Sequence, residues 1–333
     1  KALNWLSKLD PKCTYTLGFR CQVWPQLPDA IGREMLARDA AYLVRSIPKP
    51  SPNQSPSKMA IYTYVSRGKP RTRRIRGDHS NTQIAHYGAW AAARKNIEIP
   101  TQYWQLVYKH WALTQNKEGG WGYGTGRSDK SKDTMTAAGL ASLFVAADNL
   151  FQKQFVQCGK AGTAKPIRKA LDWFDRTFWS GGGYERGPRH YYLYAVERVG
   201  LASGYKYFGK KDWYKTGAKW LLGMQKGNGS WHGRGLDRGS LVSTSFALLF
   251  LVRGRAPVMF NRLEYEGDWN YRPRALANLT RWVGDQFEKE VNWQIINLKV
   301  PVEEWHDAPI LMITGSRTPK FEEKDLGKLR RFV

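Results

Sequence analysis

Four short polar clusters stand where apolar helices are expected to begin: Asp78-His79-Ser80-Asn81, Asp133-Thr134, Arg189-His190-Tyr191 and Ser243-Thr244. A helix start leaves backbone N–H groups without partners and carries the positive end of the helix dipole, so it favours anions. These residues are the expected polar rim of any site. Asp78, Ser80 or Asn81 suits an N-cap. A carboxylic acid at such a place could also deliver a proton, provided that its neighbours held the proton ready. His79 and His190 read as hydrogen-bonded rim residues. Arg186, Arg189, Arg234 and Arg238 suit phosphate, carboxylate or sulfate. Phosphate-cradling loops, the HExxH and C-x-x-C metal motifs and the G-x-S-x-G elbow are all missing from the sequence.

The composition is that of a globular protein, with 42% hydrophobic and 14% aromatic residues among 333. Such a length buries a large core and suggests about two domains. No run of 18 apolar residues occurs, and no signal-peptide pattern opens the chain. Its first residue is Lys1 rather than Met, which reads as a piece of something longer. The compartment is left open. Cys13, Cys21 and Cys158 show no metal spacing and no disulfide framework. The net charge of +25 sets up a field attractive to nucleic acid, anionic lipid or anionic polymer. Six of the ten residues from Arg67 to Arg76 are basic, which reads as a solvated loop.

Internal repetition shows which elements hold these clusters. Gln115-Asn-Lys-Glu-Gly119-Gly-Trp121 and Gln225-Lys-Gly-Asn-Gly229-Ser-Trp231 share the pattern Q-x-x-x-G-x-W, 110 residues apart. Thr134-Met-Thr-Ala137 and Thr244-Ser-Phe-Ala247 follow in the same register. The anchors Thr82, Thr134, Tyr192 and Thr244 divide this period into units of 52 to 58 residues. A weaker copy begins near Tyr15, separated from the next by the Pro/Ser-rich stretch Pro48 to Lys58. Each unit is expected to hold two helices. One is amphipathic, at Ile31–Ser46, Thr101–Gln115, Pro166–Phe178, Asp212–Gln225 and Arg272–Glu288. The other is apolar all round and therefore buried, as at Thr134–Ala147 and Ser243–Val252.

The Q-x-x-x-G-x-W segment at the end of an outer helix resembles the QW motif of squalene and hopene cyclases. The chain is similar to the squalene-cyclase and protein-prenyltransferase superfamily, an α/α toroid of repeated helix pairs, over residues 1–288. A degenerate third copy lies near Trp179-Ser-Gly-Gly-Gly183-Tyr184. In the motif, the Gln amide would serve an orphan group at a neighbouring helix terminus, and the Gly would permit a tight turn. The Trp would cover apolar surface and give its N–H to a partner.

After Glu288 the pattern changes. Val291 to Leu298 reads as a strand, Pro309 to Gly315 as another, and Glu322 to Val333 as a helix. That order resembles the opening of a parallel α/β domain, and specifically the start of a bacterial domain of unknown function that follows such toroids. Residues 289–333 are therefore expected to begin a second, truncated domain.

The resemblance also implies where chemistry would sit. In such rings the inner-helix starts line one mouth of a central cavity, placing Asp78, His79, Asn81, Asp133, Arg186, Arg189, His190, Tyr191 and Arg238 there. Hopene-type cyclases hold their acid in D-x-D-D-T-A. Here Asp78 and Thr82 match, while Ser80 and Asn81 replace two carboxylates. Prenyltransferases hold zinc with D-x-C and a distant His. Here Ser80 stands in place of the Cys, and His190 lies near the family His. Even with His79 added, zinc is not expected as a cofactor. The weak catalytic candidates are Asp78 and His190. The expected function is a ligand-binding or scaffolding module that accepts a small or extended, anionic ligand in its cavity. The alternative is an isoprenoid enzyme whose aromatic lining, from Tyr15, Trp90, Tyr191 and Tyr192, would stabilise carbocations. Binding of nucleic acid or an anionic polymer through Arg67–Arg76 is a further alternative.

Overall fold

A computed structural model describes residues 2–47, 59–69, 77–125, 129–151, 164–180 and 188–333. The fold is mainly α, with a small α/β segment at the C-terminal end. Two compact units divide it, Lys1–Leu150 and Phe151–Val333. Among the described residues no helix is long and apolar enough to cross a membrane.

The first unit contains α1 (Ala2–Lys8), α2 (Thr14–Val23), α3 (Asp29–Arg45), α4 (His79–Arg94), α5 (Thr101–Thr114) and α6 (Asp133–Leu150). Helix α4 is its centre, packed by α2, α3 and α6. Small residues let these backbones approach. A Cβ on Gly88 would stand 2.7 Å from a Leu43 methyl and 3.0 Å from the Cα of Gly18, and one on Gly18 would strike the Ile84 carbonyl. Asp39 of α3, only 2% exposed, ties α3 to α2. It accepts 2.7 Å hydrogen bonds from Arg20 Nε and Nη2 and one from Trp24 Nε1. Arg20 Nη1 in turn donates to the carbonyls of Leu6 and Leu9, so the buried ion pair is fully engaged.

The second unit contains α7 (Lys165–Thr177), α8 (Arg189–Ser203), the short antiparallel pair β1 (Tyr207–Phe208) and β2 (Lys211–Asp212), α9 (Trp213–Met224) and α10 (Ser240–Gly254). A parallel sheet follows, with β3 (Val258–Glu264), α11 (Ala275–Phe287), β4 (Asn292–Asn297), β5 (Ile310–Met312) and α12 (Glu323–Phe332). The strand order is β4-β3-β5, and β3 pairs parallel to both neighbours. The sheet is buried on both faces, as parallel sheets are. Phe260, Trp293 and Ile295 pack on Leu276 and Val283 of α11. Leu263 and Ile296 pack with Val300, Val302 and Trp305. Lys206, just before β1, donates to Glu304 and Asp307 at 2.6 Å and so ties the helical and sheet parts of this unit together.

The structure corrects two expectations. The sheet begins at Val258, inside the stretch assigned to helical repeats, so the expected boundary between 288 and 289 falls within a β3–α11–β4 crossover. The helix expected at Arg272–Glu288 is therefore a crossover helix on a sheet, not an outer helix of a fifth repeat. The signal is hidden because Asn261 and Arg262, both fully buried, interrupt the apolar run of β3. Second, the helix expected to be buried all round at Ser243–Val252 is not: Leu241, Val242, Leu248 and Val252 of α10 are exposed. It packs against α8 and α9, and those side chains lie on the flank that neither covers.

Candidate functional site

The two Q-x-x-x-G-x-W copies form one turn twice. Gln115 Nε2 donates to Gly119 O at 2.8 Å, and Gln225 Nε2 to Gly229 O at 3.0 Å. Gly119 and Gly229 take φ of 108° and 80°, the left-handed region that favours glycine. The Trp121 indole N–H donates to Trp111 O and that of Trp231 to Leu221 O, each an unpaired carbonyl in the last turn of the preceding helix. The role expected of the Gln amide thus belongs to the indole, and the Gln closes its own turn. The register also shifts. Trp121 N donates to Thr136 Oγ1 and Trp231 N to Thr244 Oγ1, so Thr136, not Thr134, is the counterpart of Thr244.

These turns precede α6 and α10. In the first unit Asp78 is the N-cap of α4. Its Oδ1 accepts from Asn81 N at 2.9 Å and Ser80 Oγ at 2.6 Å, and its Oδ2 accepts from Asn81 Nδ2 at 2.8 Å. The carboxylate is held by its own helix. His79 Nδ1 donates to Gly122 O at 2.8 Å, and its ring stacks on Trp111 with centroids 4.6 Å apart. Trp111 Nε1 reaches His86 Nδ1 at 3.1 Å, and His110 meets His79 edge-on at 5.3 Å. Burial lowers His79 to a pKa of about 4 and His86 to about 3, so both rings are neutral at physiological pH. Asp133, at the start of α6, is half-buried and accepts from Thr134 N. Tyr15 stacks with Tyr64, and Trp90 lies 5.2 Å from the Arg94 guanidinium.

In the second unit the start of α8 is capped from outside. Asp237, fully buried in a short 3-10 turn, accepts from His190 N at 2.7 Å and Tyr191 N at 3.2 Å. It also lies 3.3 Å from His190 Nδ1. The Arg189 guanidinium stands 4.3 Å over the Trp179 ring and 5.4 Å from that of Trp220. His190 meets Trp220 edge-on at 5.3 Å. Arg234 and Arg238 are exposed on the loop that carries Asp237. Tyr191 and Tyr192 are buried. Asp78 and His190 belong to different units, and each is engaged within its own.

Sequence reasoning missed Asp237, Trp220 and Glu197, and read Trp179 only as part of the degenerate third motif. The cap on α8 is 46 residues from the Tyr191 N–H it serves, beyond the reach of any capping pattern. Glu197 sits fully buried mid-helix, its carboxyl raised by burial and drawn back by Arg198 and Arg253. Arg186, Cys158, most of the Arg67–Arg76 run and all of the degenerate third motif but Trp179 and Ser180 lie outside the described residues. Among the described residues no three His, Cys, Asp or Glu side chains gather as a ligand set for a metal.

No curated protein matches the chain. Residues 259–333 match the family described as Domain of unknown function (DUF4159), a span that runs from β3 through α12.

Proposed function

We propose that the helical repeats form a ligand-binding module of the squalene-cyclase and prenyltransferase type of α/α toroid, without its acid or zinc chemistry. The observation that carries this reading is the state of Asp78. At the place where a cyclase would hold its proton donor, the carboxylate accepts three hydrogen bonds from its own helix. A carboxylate occupied in this way serves as a helix cap.

The ligand is anionic and binds at the start of α8. Asp237 satisfies the helix N–H groups there, which leaves recognition to the side chains around them. Arg189 is held over the Trp179 ring, and Arg234 and Arg238 are exposed on the adjoining loop. Guanidinium groups oriented by aromatic rings suit phosphate or carboxylate groups.

Isothermal titration of the whole chain with short-chain polyphosphate tests this. Binding is expected to weaken as salt is raised and to fall several-fold in Arg189→Ala. Incubation with squalene is expected to leave the substrate unchanged. Conversion of squalene, abolished in Asp78→Asn, would overturn the reading in favour of the isoprenoid enzyme.

A further inference from the structure

A cavity of about 370 Å³ opens beside the parallel sheet of the second unit, and none of the residues at the start of α8 lines it. Arg168, Leu171 and Asp172 of α7 line it, with Tyr205 and the loop from Gly267 to Asn270. That loop follows directly from the carboxyl end of β3. The chain leaves β3 through α11 toward β4 on one side, and the next strand, β5, lies on the other. The carboxyl end of such a strand, where the order of a parallel sheet reverses, is where open α/β sheets bind ligands.

The loop is held in place by the protein itself. Arg262, fully buried in β3, donates to Arg272 O at 2.8 Å and to Thr314 Oγ1 at 2.9 Å. Thr314 Oγ1 donates to Trp269 O at 2.9 Å, and Tyr265 donates to Thr314 O at 2.7 Å. Ser316 Oγ donates to Asp268 Oδ2 at 2.5 Å. The segments that follow β3 and β5 are thus one fixed piece, which removes much of the ordering cost of binding.

The lining dictates the class of ligand. Arg168 only donates, Asp172 and Asp268 only accept, and Asn270 does both. Asn270 Oδ1 is buried and has no hydrogen-bond partner among the described residues. Trp269 and Tyr205 add aromatic surface. One guanidinium set against two carboxylates gives the lining a formal charge of −1, which repels a phosphate, while the guanidinium offsets one of the two carboxylates toward a cation. Hydroxyl groups both donate and accept, so a ligand rich in them matches all four polar side chains, while its C–H face packs on the ring of Trp269. The volume lies near the lower end of small-molecule sites, ~300–1,000 Å³. We infer that this cavity is a binding site for a small polyhydroxylated molecule, a mono- or disaccharide. The inference is independent of the anion site at α8.

Saturation-transfer-difference NMR on the whole chain, with D-glucose, N-acetyl-D-glucosamine and cellobiose as probes, tests the site. Glycine betaine and inorganic phosphate serve as the charged comparators. At least one sugar is expected to bind with a millimolar dissociation constant and to resist displacement by either comparator. Asp172→Asn, on the exposed face of α7, is expected to weaken that sugar about tenfold, ~1.4 kcal/mol, without changing the melting temperature. Trp269→Ala should weaken the sugar as well, but Trp269 also packs against the sheet core and its loss lowers the melting temperature, so the Asp172 variant is the deciding one. Binding of betaine above every sugar, lost in Asp268→Asn, would overturn the class in favour of a cation. Phosphate binding lost in Arg168→Ala would overturn it in favour of an anion. Silence from all three sugars at ~50 mM would remove the site altogether.

Discussion

The turn after α5 and the turn after α9 are the same piece of local structure set in two different surroundings. Both close through a Gln amide, bend at a left-handed glycine and seal the preceding helix with an indole N–H. Yet Gln115 is half-buried and Gly119 buried, while Gln225 and Gly229 face solvent. The helices that follow diverge further. Helix α6 is buried without interruption from Met135 to Ala147, whereas α10 buries only Ser243, Phe246, Ala247 and Phe250. Identical short-range bonds therefore do not determine how much water a helix sees. What packs on the outside does.

The tryptophans give the largest handle on this comparison. Trp121→Ala is expected to cost about 4 kcal/mol and Trp231→Ala about 3 kcal/mol, both read from urea unfolding. Trp121 should be the more sensitive because it also packs edge-on against Trp111 at 5.7 Å and lies on Gly139. Equal losses would mean that the extra packing contributes nothing.

Acid should separate the units next. His79 and His86 are neutral in the fold, with pKa values of about 4 and about 3. An unfolded histidine titrates near 6.5, so their contribution is complete above that pH and is lost as pH falls toward the folded values. Each ring removes up to ~3 kcal/mol from the first unit. Amide exchange followed by mass spectrometry between pH 7 and 4 should show residues 2–150 opening first. Earlier opening of the second unit would contradict the role given to burial.

Glu197 carries the opposite sign. Its carboxyl is raised by burial, so the fold is penalised above pH ~4.5 and relieved below it. Glu197→Gln should stabilise the second unit at pH 7, and the gain should vanish at pH 4. Urea melts at the two pH values check this, and a loss at pH 7 would show that the ion pair with Arg198 outweighs burial.

The two Gln side chains offer a finer test. Gln115→Ala is expected to cost about 1 kcal/mol and Gln225→Ala less than half of that, because the second bond is solvated in both states. The smallest expected effect is at Leu248. Leu248→Ser should change stability by less than ~0.5 kcal/mol, whereas the same change in a covered helix costs ~2–5 kcal/mol. A loss of the larger size would show that the outer flank of α10 is covered in solution.

Local features of the chain are legible in its residues. Asp78 reads as a cap because its partners, Ser80 and Asn81, are two and three residues away. Helix α6 is legible because its apolar residues leave no polar face. The cap on α8 is not, because Asp237 arrives from a distant loop. Nor is β3, where buried Asn261 and Arg262 look like surface residues until their partners are seen. Asn261 Nδ2 donates to Trp305 O, and Arg262 binds the backbone of the loop after its own strand.

The sequence alone determined the helix periodicity, the two matching turns and the residues that open α4, α6, α8 and α10. These rest on hydrogen bonds and side-chain contacts spanning a few residues, which a short stretch of chain carries within itself. Tertiary structure alone decided that the α/β segment starts at Val258, that Asp237 closes the start of α8, and that one flank of α10 stays in water. Each of these is an energy of burial or capping contributed by residues tens of positions away, so it exists only once the chain has brought them together.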